Sequence, residues 1–151
     1  MWRISPSADA RRPASVFLRD FAVHVSPVKD VLVVDDSKVM RDMIVACLRA
    51  LPETRFTQAA SGLEAIERLS LGRFDLVVLD LNMPDISGIE VLEFVRAQDV
   101  LKTLPIIVVT TRGDDASRSQ ALAAGASLFV TKPFTPEAIA QEAQRLIAGG
   151  A

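Results

Sequence analysis

Four short runs of apolar residues constrain this chain more than any other feature: Val31–Val34, Leu76–Leu79, Ile106–Val109 and the shorter Leu128–Val130. Each run is continuous rather than alternating. A strand with one face in water alternates apolar and polar residues, whereas a strand covered on both faces reads as unbroken Val, Ile, Leu and Phe. The runs therefore predict the buried strands of a parallel sheet. A fifth segment, Arg55–Ala59, is mixed in character and reads as an edge strand.

Helical signals fill the intervals. Met40, Ile44, Cys47, Leu48 and Leu51 recur at spacings of three and four, with Pro52 closing the stripe. Ser61 with Glu64, and Ser87 with Glu90, fit capping boxes that open the second and third helices. A fourth helix is expected from Asp114 to Ala124, stopping at Gly125, and a fifth begins at Thr135-Pro136-Glu137. Five strands alternating with five helices, joined by right-handed crossovers, predict a three-layer α/β/α sandwich. Its natural strand order is 2-1-3-4-5, the flavodoxin-like arrangement.

Charge divides the chain. Residues 1–29 carry Arg3, Arg11, Arg12, Arg19 and Lys29 against Asp9 and Asp20, a balance of +3, while the remainder carries −5. We read residues 1–28 as a flexible extension and residues 29–149 as one domain. The stretch Val16–Val25 is interrupted by Arg19, Asp20 and His24, so it fits neither a secretory nor a twin-arginine signal. Native translation is expected to begin at or near Val28. A chain that is half hydrophobic and 24% charged is not disordered over most of its length, and a net charge of −2 gives no basis for general nucleic-acid binding. One cysteine and one histidine cannot form an internal disulfide or an ordinary zinc site. No stretch approaches the roughly 18 unbroken apolar residues of a membrane helix. The expectation is a cytoplasmic monomer without membrane or nucleic-acid partners.

In a sheet of this kind ligands bind at the carboxyl ends of the strands. The residues found there are Asp35-Asp36 after the first run, Asp80 after the second, Thr110 after the third and Lys132 after the fourth. Alone, each has an ordinary explanation: an aspartate capping a helix or turn, a threonine ending a strand, a lysine in solvent. Together they form a chemical set. Crowded carboxylates repel and raise one another's pKa, which a hard cation relieves; Mg²⁺, favouring carboxylate and phosphate oxygens with water, suits this group. A carboxylate can also attack phosphorus to give an aspartyl phosphate, and a cation, a lysine and a hydroxyl are what a transferring phosphoryl group needs around it.

With these residues, the body of the chain resembles the receiver domain of two-component response regulators, most closely the single-domain chemotaxis type. The matching stretches are VLVVDDSKVMR (31–41), DLVVLDLNMPDISGIEVL (75–92), PIIVVTTRG (105–113) and AAGASLFVTKPF (123–134), spanning about residues 30–148. The resemblance implies that Asp80 is the phosphoacceptor. It implies that Asp36, Asp80 and the backbone carbonyl of Asn82 ligate Mg²⁺ directly, with Asp35 acting mainly through metal-bound water. Lys132 and Thr110 would each engage a phosphoryl oxygen, and the Lys132-Pro133 bond would be cis. Phosphorylation would draw in the Thr110 hydroxyl, Phe129 would follow, and the face of helix 4, strand 5 and helix 5 would change shape.

Some positions depart from the family pattern. Phe129 stands where many relatives have tyrosine and offers no hydroxyl. Thr111 replaces a usual alanine, which narrows phosphoryl access, and Arg112 is placed to reach over the site mouth. Cys47 lies on the apolar stripe as an inert core residue, and His24 lacks the helical context of a phosphodonor.

The resemblance implies a phosphodonor histidine kinase and a downstream protein target, either a flagellar motor switch or a phosphotransfer protein. Arg118 is the only basic residue of the fourth helical segment, which disfavours an acidic motor peptide. The protein is expected not to be an enzyme beyond its own phosphorylation and dephosphorylation. The alternative is a Mg²⁺-dependent phosphohydrolase with an aspartate nucleophile. Such enzymes typically have an acid two residues beyond the nucleophile, where this chain has Asn82.

Overall fold

In the computed structural model, the described residues are 28–149. The expectations placed on the leader, including His24 and an extension ending near Val28, fall outside or at the edge of that range. Ten elements alternate without exception: β1 (Lys29–Val34), α1 (Lys38–Leu48), β2 (Thr54–Ala59), α2 (Gly62–Leu71), β3 (Leu76–Leu79), α3 (Gly88–Ala97), β4 (Ile106–Thr110), α4 (Asp115–Ala123), β5 (Leu128–Thr131) and α5 (Pro136–Gly149). The five strands form one parallel sheet of order β2-β1-β3-β4-β5, as the pattern of runs predicts.

The continuous runs are explained by two cores, one on each side of the sheet. Leu32, Val34, Val77, Leu79, Ile106 and Val108 face one way, onto Ala65 and Leu69 of α2, Val91, Leu92 and Val95 of α3, and Ala121 of α4. Their neighbours Val31, Val33, Leu76, Val78, Ile107 and Val109 face the other way, onto Ile44, Val45 and Leu48 of α1 and Ile139 and Ala143 of α5. Both sides of each central strand are dry, so both sets of side chains must be apolar. At the edge, β2 pairs only with β1 and is mostly half-buried, which accounts for its mixed composition.

Helix ends show where local signals act alone and where neighbours intervene. The box at α3 is complete, with Ser87 Oγ accepting from the Glu90 amide and the Glu90 carboxylate accepting from the Ser87 amide. At α2 only half of it forms: Ser61 Oγ accepts from the Glu64 amide, but the Glu64 carboxylate accepts from Ala60 instead. The amides of Gly62 and Leu63 are taken by Asp85 from the β3–α3 loop, so a distant carboxylate shares the capping of α2. Helix α1 ends at Leu48, earlier than Pro52 suggests, because the residue before a proline resists the helical conformation and the chain tightens through Leu51 N–H to Leu48 O. Asp114 caps α4 rather than opening it, its carboxylate accepting from Ser117. Gly125, at φ 113°, completes the stop after Ala123.

Gly88, the first residue of α3, is packed against the end of β3. A Cβ there would lie 2.4 Å from the Asp80 carbonyl oxygen and 2.8 Å from the Leu81 Cα, both backbone atoms that cannot swing aside. Gly88→Ala is expected to destabilise the fold by about 1–3 kcal/mol in urea unfolding. Gly72→Ala, where the nearest atom is 3.8 Å away, is expected to change stability by less than about 0.5 kcal/mol. Equal effects would contradict the close packing at α3.

Candidate functional site

Strand register assembles the site. Val34 lies beside Leu79, and the Asp80 amide donates to Val34 O, so Asp35 and Asp80 emerge as neighbours. Thr110 lies opposite Thr131, and the Lys132 amide donates to Thr110 O. The buried polar or charged residues among the described residues are Asp35, Asp80 and Thr110, at 1, 6 and 0% exposure. Polar groups that the fold could place in water are instead concentrated at one end of the sheet.

Lys132 is nearly buried too. Its Nζ lies 2.9 Å from Asp35 Oδ2 and 3.6 Å from Asp80 Oδ2, linking residues 97 positions apart in the sequence. The peptide bond between Lys132 and Pro133 is cis. Asp35 has its remaining carboxylate oxygen occupied as well, because Oδ1 accepts from the Ser37 amide at 3.0 Å. Asp80 Oδ1 accepts from the Asn82 amide at 3.3 Å. Burial pushes the Asp80 carboxyl above its usual value, and the negative Asp35 adds to this, while Lys132 and the Asn82 amide pull the other way.

Oxygen atoms from Asp35, Asp36 and Asp80 all lie within 4.8 Å of one another. An octahedral Mg²⁺ with bonds near 2.0–2.1 Å places opposite ligands about 4.2 Å apart, so these hard oxygens match its size and chemistry. Asp36 is exposed, whereas both oxygens of Asp35 already hold hydrogen bonds.

Two residues have roles beyond those expected from their positions. The side-chain amide of Asn82 donates to Thr110 Oγ1 at 3.4 Å, joining the loop after β3 to the end of β4. Arg112 meets the site through its backbone amide, which donates to the same hydroxyl at 3.3 Å, and both Thr111 and Arg112 are exposed. Phe129 is buried among the α4-side core, and the Arg118 guanidinium lies 4.9 Å from its ring centroid. Cys47 is half-buried rather than fully enclosed, and its burial raises the thiol pKa. Sequence patterning missed Asp85 as the shared cap of α2, and Arg41, whose guanidinium donates to the Asp35 carbonyl at 2.7 Å. Asp85 lies more than twenty residues from the amides it caps, and the six-residue spacing of Arg41 from Asp35 matches no capping or turn motif.

Comparison with known proteins agrees with this geometry. The family profile of the response regulator receiver domain matches residues 31–144. The chemotaxis protein CheY of Pseudomonas aeruginosa is 37% identical over 116 residues, which cover 77% of this chain and 94% of that protein. Among solved structures, the chemotaxis response regulator CheY4 of Vibrio cholerae is 34% identical with a TM-score of 0.72, covering 79% of this chain and 98% of that one. The receiver domain of a sensor histidine kinase from Pseudomonas aeruginosa, with a magnesium ion coordinated in its active-site cleft, is 30% identical with a TM-score of 0.73, covering 80% and 98%.

Two carboxylates should give opposite pH signatures in metal-free solution. The raised pKa of Asp80 means that ionising it costs stability, a cost absent below the ordinary value of 3.8 and complete once pH has risen through the folded value. Asp80→Asn is therefore expected to raise the urea midpoint at pH 7, with the advantage shrinking as pH falls towards 3.8; no advantage at pH 7 would contradict it. Asp85 is held down to about 2 by the backbone amides it caps, led by Leu63. Its contribution is present above pH 3.8 and lost as pH falls towards 2, so Asp85→Asn should lose less stability than wild type across that interval.

Proposed function

We propose, because this chain belongs to the response regulator receiver domain family, that Asp80 accepts a phosphoryl group from a histidine kinase and that the protein passes the signal on by binding another protein. The observation that carries this reading is the convergence of Asp80, Lys132 and Thr110 at the ends of three strands, beside the acidic pair at the end of a fourth. In the transfer, the donor's phosphorus–nitrogen bond breaks as a bond forms from phosphorus to an Asp80 carboxylate oxygen, and the imidazole leaves with a proton.

The residues divide the work by position. Asp36, Asp80 and the Asn82 carbonyl would hold Mg²⁺ directly. Asp35, whose oxygens are held by Ser37 and Lys132, would act through water. Bound there, Mg²⁺ supplies positive charge to the carboxylates and the incoming phosphoryl oxygens. Lys132, between Asp35 and Asp80, is within a short side-chain movement of a phosphoryl oxygen on Asp80. The Thr110 hydroxyl, which accepts from Asn82 and from the Arg112 amide, keeps its own proton to donate to another such oxygen.

Output follows from moving that hydroxyl. Thr110 ends β4, and Phe129 sits on the adjacent strand with Arg118 of α4 over its ring. A phosphoryl group that draws Thr110 inward alters the packing around Phe129 and biases the α4-β5-α5 face between two arrangements. The downstream partner recognises that face without a tyrosine hydroxyl. Arg118, the one basic residue of α4, is already engaged with Phe129, which favours a phosphotransfer or kinase-regulating partner over an acidic motor peptide. The protein functions as a cytoplasmic phosphoacceptor, not as an enzyme acting on a separate substrate.

Incubation with Mg²⁺ and a small acyl phosphate, followed by intact-mass measurement, is expected to add one phosphoryl group to wild type and none to Asp80→Asn. Lys132→Met is expected to slow the reaction on the order of 100-fold. Failure of the folded wild type to gain a phosphoryl group would overturn the proposal.

A further inference from the structure

We propose that Arg41 is a positioning residue for the acidic site: its guanidinium fixes the backbone at Asp35 and thereby the placement of the Asp35 and Asp36 carboxylates against Asp80. The inference deepens the reading of that cluster as a Mg²⁺ site and rests on it. Arg41 lies in the first turn of α1, half-buried, with its guanidinium held on two sides. Nη1 donates to the Asp35 carbonyl at 2.7 Å, and Nε donates to Gln58 Oε1 at 2.9 Å.

Gln58 is itself tethered. It lies on β2 beside Val33 of β1, and its Nε2 donates to Asp42 Oδ1 at 3.1 Å; Asp42 Oδ2 accepts from Lys38 at 2.7 Å. The guanidinium is thus anchored to the sheet edge and to its own helix while it grips the acidic loop.

The consequence reaches Asp36 through covalent geometry. The Asp35 carbonyl and the Asp36 amide share one planar peptide unit, so fixing the direction of that carbonyl fixes the plane from which Asp36 departs. Asp35 is then held at every polar group: its amide donates to Ala59 O, its carbonyl accepts from Arg41, and its two carboxylate oxygens accept from Ser37 and Lys132. Asp36, exposed and adjacent, takes its position from this immobilised residue. The fork of an arginine suits the task because it delivers two donors in a fixed relation, which a lysine cannot do.

Charge and geometry predict opposite signs for the loss of Arg41. Removing a positive charge beside a cation site tightens Mg²⁺ binding by Coulomb's law, whereas releasing the carboxylates weakens it. We expect calorimetric titration of the full chain with MgCl₂ to show Arg41→Met weakening Mg²⁺ binding about 10-fold, the size typical of groups that orient metal ligands. Gln58→Met, which removes only the second anchor, should weaken it by a smaller factor, and Arg41→Lys should fall between wild type and Arg41→Met. Arg145→Met, which breaks a surface pair on α5, should leave it unchanged. Amide hydrogen exchange at Asp36 and Ser37 should quicken in Arg41→Met while exchange in β3 and β4 does not.

Unchanged or tighter Mg²⁺ binding in Arg41→Met overturns the role of Arg41, as does full restoration by Arg41→Lys, which would make charge alone sufficient. If Arg41→Met does not fold, Gln58→Met decides, and unaltered binding there overturns the role. A wild type that takes up no Mg²⁺ overturns the underlying reading of the site, and the role of Arg41 with it. That outcome is distinct from a wild type that binds alongside a variant that binds equally well.

Discussion

The register of the parallel sheet is the constraint from which the site follows. With Val34 beside Leu79, the next residues along both strands are Asp35 and Asp80; with Thr110 opposite Thr131, the next residue is Lys132. A slip of one residue would move every apolar side chain of a strand to the opposite layer, so the packing that buries Leu32 and Val34 on one side and Val31 and Val33 on the other also sets the level at which the carboxylates emerge. Core packing and site geometry are therefore one requirement. The glycine at position 88 belongs to it as well, since the start of α3 must lie against the Asp80 carbonyl for the loop between them to close.

The electrostatics of the site work against the stability of the fold and for its chemistry. The Asp80 carboxylate, at 6% exposure, is costly to ionise, and the close approach of Lys132 offsets that only in part. What the arrangement preserves is a preorganised set of charges. Lys132 is held by Asp35, and Asp35 is held by Ser37 and Arg41, so the group that the proposed function assigns to a phosphoryl oxygen is already oriented by its neighbours. Asn82 and the Arg112 amide do the same for the Thr110 hydroxyl.

Much of this was legible in the sequence because the signals are local. A continuous apolar run states that both faces of a strand are covered, and the residue that ends it states where polar chemistry begins. Ser87 and Glu90 form their capping box because both partners lie within one turn. The local pattern and the structure part where another group intervenes. Glu64 was expected to complete a box with Ser61, but Asp85 reaches across to α2 and Glu64 binds Ala60. The stripe through Leu51 suggested a longer first helix, yet the proline after it ends the helix early and leaves Leu51 buried in the turn. Lys132, which its place at a strand end assigns to the site, is also nearly buried there, a fact that depends on residues about a hundred positions away.

The sequence by itself determined the alternation of strand and helix and the identity of the residues at the strand ends, because periodicity and caps are properties of neighbouring residues; right-handed crossovers then made 2-1-3-4-5 the natural strand order, and the sheet has it. Tertiary structure alone decided how those residues share their hydrogen bonds: that both oxygens of Asp35 are taken, that Asn82 reaches Thr110, that Arg118 covers Phe129 and that Arg41 grips the Asp35 carbonyl. The contacts of Lys132, Asn82 and Arg118, and the Gln58 anchor that holds Arg41, depend on distances between elements, set by how the two cores pack rather than by any pattern within a single segment.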